Sequence, residues 1–274
     1  MSVTDPGHAR TVMDSVSGFL LDLDGTIYLG DDVFECSADF VSAARTSGRD
    51  VVFLTNNSAN DATAYAEKLT RMGIPTDAVD VVTAGDATVD HLQNDHPGAT
   101  VFVLGTPSLE RQFAGAGIEL VENGPEIVVV GFDTTLTYEK VKLACSAMLD
   151  GAALIATHPD LVCPTREGPI PDCGSICAMI TAATDAEPVV IGKPYQTMAD
   201  YAMRRLGVGD SASTAMVGDR LYTDIKMAND SGMTGILVLS GETTQDMADA
   251  ASEMPDIVVE HVGCLTPLLR GNTP

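Results

Sequence analysis

The sequence predicts an α/β protein with parallel sheets joined by crossover helices, and three observations carry that prediction. Short β-branched runs alternate with helical patterns from end to end. Each apolar run is short enough to be one buried strand. The segments that read as chemical lie before residue 60 and after residue 190, while the stretch between them holds a strand and helix alternation of its own. The economical arrangement is one α/β domain built from both ends of the chain with a second α/β domain inserted in the middle. At 274 residues the chain is long enough for two such units.

Strands are expected at 18–23, 51–55, 81–83, 100–104, 127–130, 153–156, 188–191, 215–218 and 235–239. Helices are expected between them. Over 61–72 the residues Ala62, Tyr65, Ala66 and Leu69 form an apolar stripe, and over 196–206 Met198, Tyr201, Ala202 and Leu206 form another. Gly73 and Gly207 follow these helices where a left-handed residue ends a helix most easily.

Composition narrows the function. With 27 Asp and 12 Glu against 5 Lys and 10 Arg, the net charge is −24, which excludes a sequence-independent grip on nucleic acid. An anionic ligand must be met locally. The Asp excess, the scarcity of Lys and the lack of Trp resemble proteins adapted to high cytoplasmic salt, where self-repulsion is screened within roughly 3 Å at 1 M ionic strength. No stretch reaches the ~18 apolar residues of a membrane span. Asp5, Pro6, Gly7, His8 and Asp14 stand where a secretory signal would be cationic and then apolar, so a cytoplasmic protein is expected. The six Cys show no zinc spacing; Cys173 and Cys177, four apart, read as two buried thiols on one helix face. His91 and His96 read as solvated surface.

Phe19 to Thr26 reads FLLDLDGT, an apolar run ending in two carboxylates two residues apart. At the carboxyl end of a strand the chain can curl so that Asp22 and Asp24 flank one point beyond the sheet edge. Their repulsion calls for a bound cation or a raised pKa, and either suits catalysis. Asp-Gly turns also close strands for purely structural reasons.

DLDGT resembles the nucleophile motif of the haloacid dehalogenase superfamily of phosphotransferases. Three further motifs of that superfamily follow in order: Thr55 in VFLTNNS, Lys193 in IGKP, and Asp219 with Asp224 in VGDRLYTDI. The finer resemblance is to the branch of p-nitrophenyl phosphatases, phosphoglycolate phosphatases and NagD-type nucleotidases, carried also by GFDTTLTYEK at 131–140 and ATHPD at 156–160. It implies a doubly wound, Rossmann-like core at residues 1–82 and 186–274, and an inserted α/β cap for substrate specificity at 83–185. It further implies a homodimer, since caps of this family often associate. Two segments depart from the family pattern. Related proteins commonly read TNPD where Thr157, His158, Pro159 and Asp160 stand, and a PGAG-like turn where Pro171, Asp172, Cys173 and Gly174 stand. His158 is either a substrate contact or a loop cap.

The resemblance implies a Mg²⁺-dependent phosphatase acting on small phosphate monoesters (a sugar phosphate, phosphoglycolate or a nucleoside monophosphate). Asp22 is the nucleophile, forming an aspartyl-phosphate, and Asp24 the acid and base. Asp22, Asp24 through its carbonyl, Asp219 and Asp224 are the metal ligands or their near neighbours. Thr55 and the Asn56 amide donate to the phosphoryl oxygens, Asn57 and His158 complete the substrate contacts, and Lys193 supplies positive charge. Three readings compete. A receiver-type signalling domain shares the phospho-accepting Asp but has no use for Asp24 or the insertion. A dehalogenase lacks the second Asp. A phosphomutase shares every residue.

Overall fold

The Gly18–Asp22 strand lies inside a six-stranded sheet whose order is Val81–Thr83, Asp50–Thr55, Gly18–Asp22, Thr214–Gly218, Thr234–Val238 and Ile257–Val259. This comes from a computed structural model that describes residues 4–165 and 167–270. Gly18–Asp22 pairs in parallel with both neighbours, and the pairs out to Ile257–Val259 are parallel too. Both faces of the sheet are covered, so Gly18–Asp22 and Thr214–Gly218 are buried at every position and read in sequence as continuous apolar runs rather than alternating ones. From Gly18–Asp22 the chain builds first to one side and later to the other. The strand order therefore reverses between Gly18–Asp22 and Thr214–Gly218, the place where doubly wound sheets open a crevice beyond their carboxyl ends.

The flanking helices follow the expected stripes. Ala62–Arg71 buries Tyr65, Ala66 and Leu69, and Gln196–Leu206 buries Met198, Ala202 and Leu206 with Tyr201 half-buried. Gly73 and Gly207 take positive φ of 87° and 76° just after them, as the sequence predicts. Helix Ser37–Thr46 buries Phe40, whose ring meets Phe19 edge-on at 5.5 Å.

The chain divides into two compact units. The first comprises the residues up to Thr55, Tyr65–Val82 and those from Ala199 onward; the second comprises Asn56–Ala64 and Thr83–Met198. The second unit has its own sheet in the order Val189–Val190, Ala153–Ala156, Ile127–Val130, Thr100–Leu104, Glu119–Leu120, with every pair parallel. Helices Tyr138–Leu149 and Cys173–Thr184 pack their Ala144, Met148, Ile176 and Cys177 against Val128, Val130 and Leu154 of that sheet. Cys173 and Cys177 are buried free thiols.

This division differs from the sequence-based boundaries at 56–64 and 186–198, and hydrogen bonding is the reason. Val189–Val190 pairs with Ala153–Ala156 in the second sheet, and the Asn56 and Ser58 side chains bond to Lys193 and Thr157. Among the described residues six strands escaped the sequence reading, Tyr28–Leu29, Asp32–Val33, Glu119–Leu120, Val162–Cys163, Ile170–Pro171 and Ile257–Val259, because two or three residues give no periodicity. Among the described residues no helix is long and apolar enough to cross a membrane.

Candidate active site

In the first unit, the sequence-predicted acids come together beyond the sheet's carboxyl edge. Asp22 ends its strand, Asp219 follows Gly218 at the end of the next one, and Asp224 lies in the wide π-type turn Leu221–Ile225 that follows. The three are buried, and one carboxylate oxygen from each lies within 4.8 Å of the other two. Three glycines make room for them. A Cβ on Gly25 or Gly241 would overlap the Asp219 carboxylate, and one on Gly218 would overlap the Asp224 side chain. Gly25 also has φ of 90°, so the turn after Asp24 needs glycine twice over.

Backbone amides meet only part of this charge. The Glu242 N–H donates to Asp219 Oδ2 at 2.6 Å, the Arg220 N–H to Asp224 Oδ2 at 3.1 Å, and Thr26 Oγ1 to Asp22 Oδ2 at 3.3 Å. Asp219 Oδ1 is buried with no hydrogen-bond partner among the described residues. Burial, followed by repulsion from Asp22 and Asp224, pushes the Asp219 carboxyl well above the usual carboxylate range. An orphan carboxylate oxygen inside a set of hard oxygen donors is what a Mg²⁺-type cation fits, and the residues present are compatible with one.

Asp24 stands apart from the three. The chain curls after Asp22, with Leu23 carbonyl oxygen accepting from Ile27 N–H at 2.9 Å and Gly25 N–H donating to Tyr28 carbonyl oxygen at 2.7 Å. Asp24 is half-buried, and burial raises its pKa against the pull of Lys68 and Arg220. Lys68 Nζ lies 3.8 Å from the centre of the Tyr28 ring, itself fully buried. Arg220 is held by Glu242 at 2.9 Å. Thr55 is buried at the end of the adjacent strand, one residue beyond Leu54, the register partner of Asp22. Sequence reasoning missed Lys68, Arg220 and Gly241. With only 5 Lys in the chain, scarcity alone could have drawn attention to Lys68.

In the second unit, Asn56 and Lys193 meet. The Lys193 N–H donates to Asn56 Oδ1 at 2.8 Å, and Asn56 Nδ2 donates to the Lys193 carbonyl and to Asp160 Oδ2, both at 3.1 Å. A Cβ on Gly192 would overlap Asn56 Oδ1 and the Thr157 carbonyl, so IGKP needs its glycine for close approach. Lys193 is 2% exposed, unlike a solvated turn lysine. Asn57 is half-buried and accepts from the Ala59 N–H at 2.9 Å, an Asx turn.

His158 is fully buried, with Nδ1 2.9 Å from Thr157 Oγ1 and Nε2 2.9 Å from Asp172 Oδ1. Both ring nitrogens are thus engaged within the unit. Burial alone would lower its pKa, but Cys173, the Asp172 carboxylate and Asp160 outweigh it and raise it to about 9. Asp172 also caps helix Cys173–Thr184 through the Cys173 N–H, and a Cβ on Gly174 would strike the Pro159 carbonyl. The two segments that depart from the family pattern are therefore bonded to each other.

Fold and site together define a doubly wound α/β enzyme with a buried carboxylate cluster at its switch point. Family models described as haloacid dehalogenase-like hydrolase and HAD-hydrolase-like match residues 19–119 and 190–265. The 5'-nucleotidase YutF of Bacillus subtilis is 35% identical over 248 residues, covering 90% of this chain and 96% of the relative. An acid sugar phosphatase of Staphylococcus aureus is 35% identical over 234 residues, 85% of this chain and 90% of its own. The crystal structure of a 4-nitrophenylphosphatase from Thermotoga maritima is 42% identical with a TM-score of 0.90, covering 93% of this chain and 98% of that one. The chain belongs to the haloacid dehalogenase-like hydrolases, in the branch of the NagD-like and p-nitrophenyl phosphatases.

Proposed function

We propose that this protein is a Mg²⁺-dependent phosphatase that hydrolyses small phosphate monoesters through an aspartyl-phosphate on Asp22. The observation that carries the reading is the convergence of Asp22, Asp219 and Asp224, with the orphan Asp219 Oδ1, at the carboxyl edge of the sheet. Relatives named for sugar phosphates, 5'-nucleotides and 4-nitrophenyl phosphate support the substrate class.

Each residue has work suited to its surroundings. The Asp22 carboxylate attacks phosphorus in line, and the leaving oxygen takes its proton from Asp24, whose burial favours the protonated form. In the second half Asp24 takes a proton from the attacking water. Asp22, the Asp24 carbonyl, Asp219 and Asp224 would hold Mg²⁺, which when bound neutralises charge on the phosphoryl oxygens. Thr55 and the Asn56 N–H donate to those oxygens, and Lys193 adds positive charge. Asn57 shapes the loop after the Asp50–Thr55 strand through its Asx turn. His158 we assign to holding the second unit together rather than to the substrate, because both its nitrogens are engaged. Residues 1–82 and 186–274 are then the catalytic core and residues 83–185 the cap that selects the leaving group.

The test is phosphate release from p-nitrophenyl phosphate with and without Mg²⁺, for wild type and Asp22→Asn. Turnover that requires Mg²⁺ and vanishes in the variant is expected; turnover persisting in Asp22→Asn would overturn the nucleophile assignment. A panel of sugar phosphates, phosphoglycolate and nucleoside monophosphates then ranks substrates by kcat/KM. The Asp excess, the scarcity of Lys and the charge of −24 support a protein adapted to high cytoplasmic salt, so its Tm should rise from low to multimolar KCl. The family resemblance supports a homodimer, which light scattering reads directly.

A further inference from the structure

A second set of metal-ligating side chains lies in the first unit, where the chain leaves the Ile257–Val259 strand. His261 Nδ1 is 3.4 Å from Cys36 Sγ, a residue 225 positions away in sequence, and 3.9 Å from Cys264 Sγ. Ligand atoms of Glu260, His261 and Cys264 lie within 4.8 Å of one another. Cys36 directly precedes helix Ser37–Thr46, and a Cβ on Gly263 would overlap the Cys36 Cβ, so glycine at 263 is what lets the two segments approach.

The nitrogen-to-sulfur spacing at His261 fits a shared ion. Nitrogen at about 2.05 Å and sulfur at about 2.3 Å from zinc, at a tetrahedral angle, stand about 3.6 Å apart. The two observed separations bracket that value. Cys264 is exposed and Cys36 half-buried, so an ion has a way in.

We propose that Glu260, His261 and Cys264 form a binding site for a thiophilic divalent cation of the Zn²⁺ type, separate from the carboxylate cluster, and that Cys36, outside the converged trio but within 3.4 Å of His261 Nδ1, turns in as the fourth ligand when the ion binds. The ion fastens the C-terminal segment to the start of helix Ser37–Thr46. Binding displaces the two thiol protons, so it strengthens as pH rises.

The experiment is a titration of the reduced full chain with Co²⁺, in excess Mg²⁺ so that hard carboxylate sites are occupied. One equivalent of Co²⁺ should give thiolate-to-cobalt charge-transfer and tetrahedral ligand-field bands, which Zn²⁺ then abolishes. The bands should be lost in Cys36→Ser and Cys264→Ser and retained in Asp219→Asn. Cobalt binding without a charge-transfer band, or a band surviving both Ser variants, would overturn the proposal. Should those variants fold poorly, alkylation of the wild type decides. Zn²⁺ should protect Cys36 and Cys264 selectively, and equal labelling with and without Zn²⁺ would sink the idea.

Discussion

Both units bury carboxylates, but the first gathers them against one another and the second sets each beside a donor side chain. In the first, Asp22, Asp219 and Asp224 face one another, with amides and a hydroxyl donating to them, and Asp219 Oδ1 is left without a donor among the described residues. In the second, each carboxylate meets a donor from a neighbouring side chain: Asp172 meets His158 and the Cys173 N–H, Asp160 meets Asn56 through Oδ2 while its Oδ1 is buried with no hydrogen-bond partner among the described residues, and Asp133 meets Lys140 at 2.8 Å and Thr135. The difference separates a site from a scaffold. A buried network whose members answer one another fixes a shape, whereas like charges held together by the fold store a demand that a ligand must meet.

The sharpest way to break that comparison is Asp22→Asn. Activity should fall by at least about 10³-fold, since the nucleophile is lost. Stability should hold or rise, because one of the two charges that destabilise ionised Asp219 is removed. Calorimetry beside the turnover assay checks both, and a large drop in Tm would mean that Asp22 serves architecture instead.

Gly218→Ala tests whether the crowding is geometric. Its new Cβ would displace the Asp224 side chain, and Mg²⁺ affinity read from activation curves should weaken about 10- to 100-fold. The Asn56→Ala variant probes the other unit at the residue proposed to donate to the phosphoryl oxygens. It removes three hydrogen bonds to Lys193 and Asp160, so stability should fall by about 1–3 kcal/mol in urea titrations. Loss of kcat of roughly 10- to 100-fold should accompany it as Lys193 shifts.

The smallest effect on turnover is expected from His158 and Asp172. Each single change should destabilise, and a double-mutant cycle should show coupling of roughly 1–3 kcal/mol with kcat little altered. Their pH dependence has a definite sign. His158 is raised to about 9 from an ordinary value near 6.5, so its contribution is complete below about pH 6.5 and disappears as pH climbs through about 9. Urea midpoints measured from pH 6 to 10 should fall in wild type and stay flat, for this term, in His158→Gln.

Much of this was readable in the sequence, and the exceptions have physical reasons. FLLDLDGT and VGDRLYTDI announced a strand-end acid cluster because fully buried parallel strands leave unbroken apolar runs that stop where the chemistry begins. Gly73 and Gly207 marked helix ends through their conformation alone. What stayed hidden depends on contacts between distant segments. Lys68 comes beside Asp24 from a helix 44 positions on, and nothing local in Glu67–Leu69 signals it. Cys36 showed no zinc spacing with Cys264 and His261, since folding, not sequence proximity, assembles them. The tie between Asn56 and Lys193 spans 137 residues and moved the unit boundary with it.

The His158–Asp172 pair has an implication for descent. A chain passing from an asparagine and a glycine at these two places to this histidine and aspartate must change one first, and the intermediate buries a polar group without its mate. Reversal meets the same obstacle from the other side. Among homologues the two residues should therefore be gained together and rarely separated, which makes them a record of lineage rather than a guide to the phosphate ester each enzyme prefers.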